Sequence, residues 1–109
     1  TSRDFCYIDN AVQANILAAL SPLKFRNNVY NVAVGDRTSL NELFFILKNA
    51  LKKEGVFYKF EPEYREFRAG DVMHSQASIQ KISENLGYQP QFKIKEGVSE
   101  SIKWYMSNL

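Results

Sequence analysis

The chain has 109 residues and a mass of 12.6 kDa, 45% of it hydrophobic and 14% aromatic, which suits one compact domain and is too little for two. Its formal charge of +2 is evenly spread, with seven basic and five acidic residues over 1–56 and seven of each over 57–109, so dependence on nonspecific attraction to nucleic acid or anionic lipid is excluded. One cysteine cannot close an internal disulfide and no apolar run approaches the roughly 18 residues of a membrane span, so a reduced, soluble, cytoplasmic protein is expected.

The first residues, Thr1-Ser2-Arg3-Asp4-Phe5, contain neither an initiator Met nor a basic and apolar leader, and read as a cut inside a longer protein. Asp9 is placed to cap a helix running to about Leu20, with Val12, Ile16, Ala19 and Leu20 inward and Ser21-Pro22 ending it. After a polar loop, Val29-Tyr30-Asn31-Val32-Ala33-Val34 has the β-branched and aromatic make-up of a strand closed by Gly35-Asp36. Ser39-Leu40-Asn41-Glu42 fits a capping box, and Leu40, Leu43, Phe44, Leu47 and Leu51 form the stripe of a helix that Gly55 stops. Val56–Phe60 again has strand composition, so 29–60 reads as strand, helix, strand, normally a right-handed crossover between parallel strands. Ile79, Ile82 and Leu86 mark a short helix that Gly87 closes in the left-handed conformation, with Pro90 beyond. A last helix is expected from about Glu96, with Val98, Ile102, Tyr105 and Met106 inward.

Catalytic motifs are largely missing. The five glycines, at 35, 55, 70, 87 and 97, lie too far apart for a phosphate-cradling loop. One His and one Cys exclude a conventional Cys/His zinc site, so no metal is expected. Cys6, between Phe5 and Tyr7, reads as a small buried hydrophobe, and His74, outside any recognised nucleophile motif, as a structural or solvated residue. Arg68 and Asp71 flank Gly70 and admit two readings. They form a local ion pair of little energetic weight, or they hold a nucleotide, the forked guanidinium donating to a diphosphate and the carboxylate accepting from ribose hydroxyls. Arg3 is likewise either the surface partner of Asp4 or a second cation for the same phosphates.

Four segments then point to a family. Arg3-Asp4-Phe5-Cys6-Tyr7-Ile8-Asp9-Asn10-Ala11-Val12, Val29–Leu40 with its Tyr30-Asn31 and Gly35, Arg68-Ala69-Gly70-Asp71-Val72-Met73-His74-Ser75, and Leu86-Gly87-Tyr88-Gln89-Pro90 resemble, in order and spacing, the C-terminal part of extended short-chain dehydrogenases/reductases. Within that family the phrases Asp9–Asn15 and Asn31–Gly35 are most similar to bacterial UDP-N-acetylglucosamine 4-epimerases of the Vi-antigen and O-antigen type. Met73 where Arg is usual, and Ser78 where Asp is usual, depart from that subgroup's pattern.

The resemblance implies an α/β fold: a small C-terminal substrate-binding domain, residues 1–109, with a short, mainly parallel sheet and about four helices, lacking the Rossmann domain. It implies that Arg3 and Arg68 contact the diphosphate of a UDP-sugar, that Asp71 contacts its ribose, and that Ser75 sits beside the sugar 2-substituent. Members restricted to UDP-glucose carry Tyr there, whereas Ser leaves room for N-acetyl; Ser75 also suits an N-cap for a helix over 76–86. The family's Gly-rich NAD turn and Tyr-x-x-x-Lys catalytic pair are absent from these residues, so no catalytic or cofactor-binding residue is expected here and NAD belongs to the full-length parent. That parent is expected to be a homodimer that acts on UDP-N-acetylglucosamine or UDP-N-acetylgalactosamine in surface polysaccharide biosynthesis, oxidising C4, turning the keto sugar and reducing it again. Two alternatives stand beside it: the same part of a nucleotide-sugar 4,6-dehydratase or decarboxylase, and a protein-interaction module presenting Tyr58, Phe60, Tyr64 and Phe67.

Overall fold

A computed structural model describes all 109 residues. Helix α1 spans Ile8–Ala19, α2 Leu40–Lys53, α3 Gln80–Leu86 and α4 Ile94–Asn108. The helices arise where local chemistry dictates them. Ser39 Oγ accepts from the Glu42 N–H at 3.0 Å and starts α2, although no reciprocal Glu42 bond forms. Gly87 ends α3 at φ 72°, where its own N–H and that of Tyr88 reach the Ser83 and Ile82 carbonyls.

Three helix expectations need correction. Tyr7, not Asp9, occupies the N-cap of α1 and makes no side-chain cap bond; Asp9 lies in the first turn, where its charge still favours the helix dipole. The buried face of α1 is Asn10 and Ala14 with Leu17 beside them, while Val12, Ile16 and Leu20 face outward. Periodicity locates an apolar stripe without saying what covers it. On α4, which begins at Ile94, Val98 is buried but Tyr105 and Met106 are about half exposed.

The sheet differs most from expectation. Strands β1, Ser2–Arg3, and β2, Thr38–Ser39, pair antiparallel in the register Ser2–Ser39 and Arg3–Thr38. The other edge of β1 makes one parallel bridge, Ser2 to His74. The mainly parallel sheet is therefore replaced by a small antiparallel one, and neither 29–34 nor 56–60 is a strand. A strand needs a neighbour to satisfy its N–H and C=O groups, and within this chain neither segment has one. From Phe57 to Phe67 no backbone-to-backbone hydrogen bond forms. Over 29–35 side chains substitute for a ladder. Asp4 accepts from the Val34 and Gly35 N–H groups at 3.0 and 2.9 Å, Tyr88 Oη donates to the Ala33 carbonyl at 2.7 Å, and Lys81 donates to that of Val29 at 2.9 Å.

The core is small: Ala14, Ile82, Leu86 and Tyr88, with Leu17, Phe25, Tyr30 and Ile79 packed around them. Asn10, 1% exposed, closes its edge. Its side chain accepts from the Gln91 and Phe92 N–H groups at 2.9 and 3.2 Å and donates to the Phe92 carbonyl at 2.8 Å, tying α1 to the segment that enters α4. Helix α4 approaches closely because residue 97 is Gly, where a Cβ would lie 2.7 Å from that of Tyr7.

The whole is flat, 52 × 37 × 19 Å, with a radius of gyration of 16.6 Å, against about 13 Å for a globular chain of this length. Its accessible surface of 8255 Å² exceeds by roughly 2,000 Å² the area typical of a folded monomer of this mass.

Candidate functional site

The candidate residues fall into two groups. In the first, β1 carries Arg3 alongside Met73-His74-Ser75. The Ser2 N–H donates to the Met73 carbonyl at 2.8 Å and the Ser75 N–H to the Ser2 carbonyl at 3.1 Å. Arg3 Nη1 donates to the Ser2 carbonyl at 2.7 Å and to that of Met73 at 3.2 Å. One nitrogen of the guanidinium is thus anchored on backbone oxygens, and Nε and Nη2 remain available as a fixed fork for an anion. Arg3 does not pair with Asp4, whose two oxygens are taken by Val34 and Gly35.

The second group is the turn Arg68-Ala69-Gly70-Asp71. Its backbone closes through the Asp71 N–H to the Arg68 carbonyl at 3.2 Å, and Gly70 at φ 85° supplies the conformation that the third residue of a type II turn demands. Arg68 Nε and Nη2 both reach Asp71 Oδ2 at 3.1 Å. The Arg68 side chain is 85% exposed, so the pair itself adds little stability. No hydrogen bond or ion pair joins it to Arg3.

Ser75 is exposed and does not cap a helix: α3 starts at Gln80, with Ile79 at its N-cap. Three bonds brace its neighbourhood. Besides its own N–H bond, His74 Nδ1 lies 2.7 Å from Ser2 Oγ, and Gln76 Nε2 donates to the Gly35 carbonyl. Sequence reasoning missed Ser2, Asp4 and Gln76 as organisers of this region, because each bonds backbone far away in the chain.

Two groups are held against ionisation. Burial above all pushes the Tyr88 hydroxyl up to about 12, with Cys6 and Asp4 adding to the effect. Burial likewise raises the Cys6 thiol, which hydrogen bonding with Tyr88 opposes. Cys6 is half-buried rather than buried, and its raised pKa makes it a poor nucleophile. No three His, Cys, Asp or Glu side chains cluster where a metal ion could sit, and no helix is long and apolar enough to cross a membrane.

Comparison with known proteins fits these motifs. No family model matches the chain. It is 34% identical over 107 residues to a Methanocaldococcus jannaschii protein provisionally assigned as a UDP-glucose 4-epimerase, covering 98% of this chain and 32% of that one. It is 31% identical over 109 residues to the UDP-glucuronate 4-epimerase of Thermodesulfobacterium geofontis, covering 99% and 31%. The solved UDP-N-acetylglucosamine 4-epimerase of Methanobrevibacter ruminantium M1, in complex with UDP-N-acetylmuramic acid, matches with a TM-score of 0.81 at 34% identity over 99% of this chain and 32% of its own. The chain thus spans about a third of the length of these relatives. Over that third it is similar to proteins described as UDP-sugar 4-epimerases, the kind of enzyme that its motifs resemble.

Proposed function

We propose that the chain is the C-terminal, nucleotide-sugar-binding domain of an NAD-dependent UDP-N-acetylglucosamine 4-epimerase of surface polysaccharide biosynthesis, cytoplasmic and homodimeric as a whole enzyme. Arg3 and Arg68 hold the diphosphate, Asp71 the ribose, and Ser75 leaves room beside the sugar 2-substituent for N-acetyl. The observation that carries this assignment is the anchored guanidinium of Arg3, whose free fork lies on the strand paired with Ser75. Binding energy from the remote uridine diphosphate then orients the sugar for chemistry performed elsewhere in the enzyme.

These residues do not suit NAD. Gly35, Gly55, Gly70 and Gly87 each occupy a separate positive-φ turn or cap, and Gly97 is spent on the contact with Tyr7, so none forms a pyrophosphate cradle. The surplus surface of roughly 2,000 Å², the outward stripe of Ile8, Val12, Ile16 and Leu20, and the exposed Tyr58, Phe60, Tyr64 and Phe67 support a further domain packing against it.

The test is Ser75→Tyr in the longer enzyme, with kcat/KM measured for UDP-N-acetylglucosamine and UDP-glucose. Filling the space of an N-acetyl group costs about 1–3 kcal/mol, so turnover of the acetylated sugar is expected to fall about 5- to 150-fold, and that of UDP-glucose far less. An unchanged ratio between the two sugars removes Ser75 from the specificity site.

A further inference from the structure

Ser75 sits between two residues whose side chains reach away from it to fixed points of the fold. His74 Nδ1 meets the hydroxyl of Ser2 at 2.7 Å, and Ser2 is buried. Gln76 Nε2 meets the Gly35 carbonyl, in a turn that Asp4 fixes from the other side through the Val34 and Gly35 N–H groups. Backbone pairing alone supplies only two bonds here, Ser2 N–H to Met73 and Ser75 N–H to Ser2, and the flanking segment up to Phe67 has no backbone partner. A single parallel bridge is a weak hold on such a segment. The same bridge presents the Met73 carbonyl to Arg3 Nη1, so slippage of 73–75 along β1 would release Arg3 as well as Ser75.

Resting on the roles proposed above for Arg3 and Ser75, we infer that His74 and Gln76 are positioning residues of the nucleotide-sugar site, which lock the 73–76 segment in register against β1 and thereby hold Arg3 and Ser75 in binding geometry. His74 needs no particular charge for this. A serine hydroxyl both donates and accepts, so its bond to Nδ1 forms with a neutral or a protonated ring. What matters is a polar atom at the Nδ1 position. Asn places an amide atom there; Gln places its amide one bond further out, and Ala has none.

The experiment titrates UDP into the longer protein that carries this chain, and compares His74→Ala, His74→Gln and His74→Asn with wild type. Loss of one hydrogen bond that organises the site is expected to weaken UDP about 3- to 10-fold in the Ala and Gln variants. The Asn variant should stay within about twofold of wild type. Gln76→Ala should weaken UDP in the same direction, by less. Thermal midpoints are recorded alongside, because a merely structural histidine would lower stability and leave UDP affinity of the folded protein unchanged. Wild type that fails to bind UDP overturns the nucleotide-sugar assignment and this inference together. Wild type that binds, with all three His74 variants binding equally well, overturns the positioning role alone; so does an Asn variant as weak as Ala.

Discussion

The clasp around Asn10 and Tyr88 and the edge around Arg68 and Asp71 are opposite uses of polar side chains. Asn10 and Tyr88 are almost wholly buried, and both side chains bond backbone from a distant part of the chain. Arg68 and Asp71 are exposed, bond each other three residues apart, and hold nothing else. Energetically the first pair is costly to disturb, because removal leaves buried or part-buried backbone groups without their partners; the second is nearly free to disturb in the absence of a ligand. Arg68 and Asp71 are thus polar groups that the fold does not use, presented on a turn shaped by Gly70.

Breaking the clasp should give the largest change. Asn10→Ala leaves two N–H groups and one carbonyl unpaired, at about 1–3 kcal/mol for each group that water cannot reach. The expected result is loss of several kcal/mol in chemical denaturation of the longer protein, or failure to fold; a change within experimental error would show that the segment at Gln91 is held by other means.

Gly97→Ala comes next. Its Cβ would sit 2.7 Å from that of Tyr7, a contact neither backbone can relieve without separating α4 from the start of α1. Overpacking of this kind costs about 1–3 kcal/mol, although Ala otherwise favours a helix by about 1 kcal/mol over Gly. A stabilised Ala variant would mean that the two segments move apart freely.

A smaller effect appears at high pH. Tyr88 holds its proton up to about 12 when folded, whereas an unfolded tyrosine titrates near 10. The folded state therefore binds more protons in between, and its stability falls as pH rises from about 10 through about 12. Cys6, also raised, adds a slope of the same sign at somewhat lower pH. Tyr88→Phe should remove the tyrosine part of that slope while losing the bond to Ala33, which denaturation midpoints across this range would show.

The sequence was legible where structure is local. Ser39 as a cap, Gly87 as a left-handed terminus and the apolar spacing of α2 and α3 follow from chemistry within one or two turns, and all four expected helices form, although α3 begins only at Gln80 and α4 already at Ile94. Val29–Val34 and Val56–Phe60 were not legible as they stand, since composition records a preference for extended backbone while a ladder requires a second strand that these residues do not supply. The outward stripe of α1 misled for a related reason: Asn10, the side chain that faces inward, is polar. At the candidate site the Arg68-to-Ser75 motif was visible, but the fastening of Ser75 through Ser2 and of Gly35 through Asp4 depends on contacts more than 30 residues apart.

The central claim is that Arg68 is reserved for a nucleotide diphosphate rather than for the fold. Calorimetric titration of UDP and, separately, of NAD into the longer enzyme, wild type and Arg68→Ala, tests it most directly. The expected result is a loss of about 1.5–3 kcal/mol in UDP binding, the range for hydrogen bonds to charged groups, with NAD affinity unchanged and stability altered by less than about 1 kcal/mol. Equal loss of both affinities, or a loss of stability with UDP binding intact, would contradict it and return Arg68 to a structural pairing with Asp71.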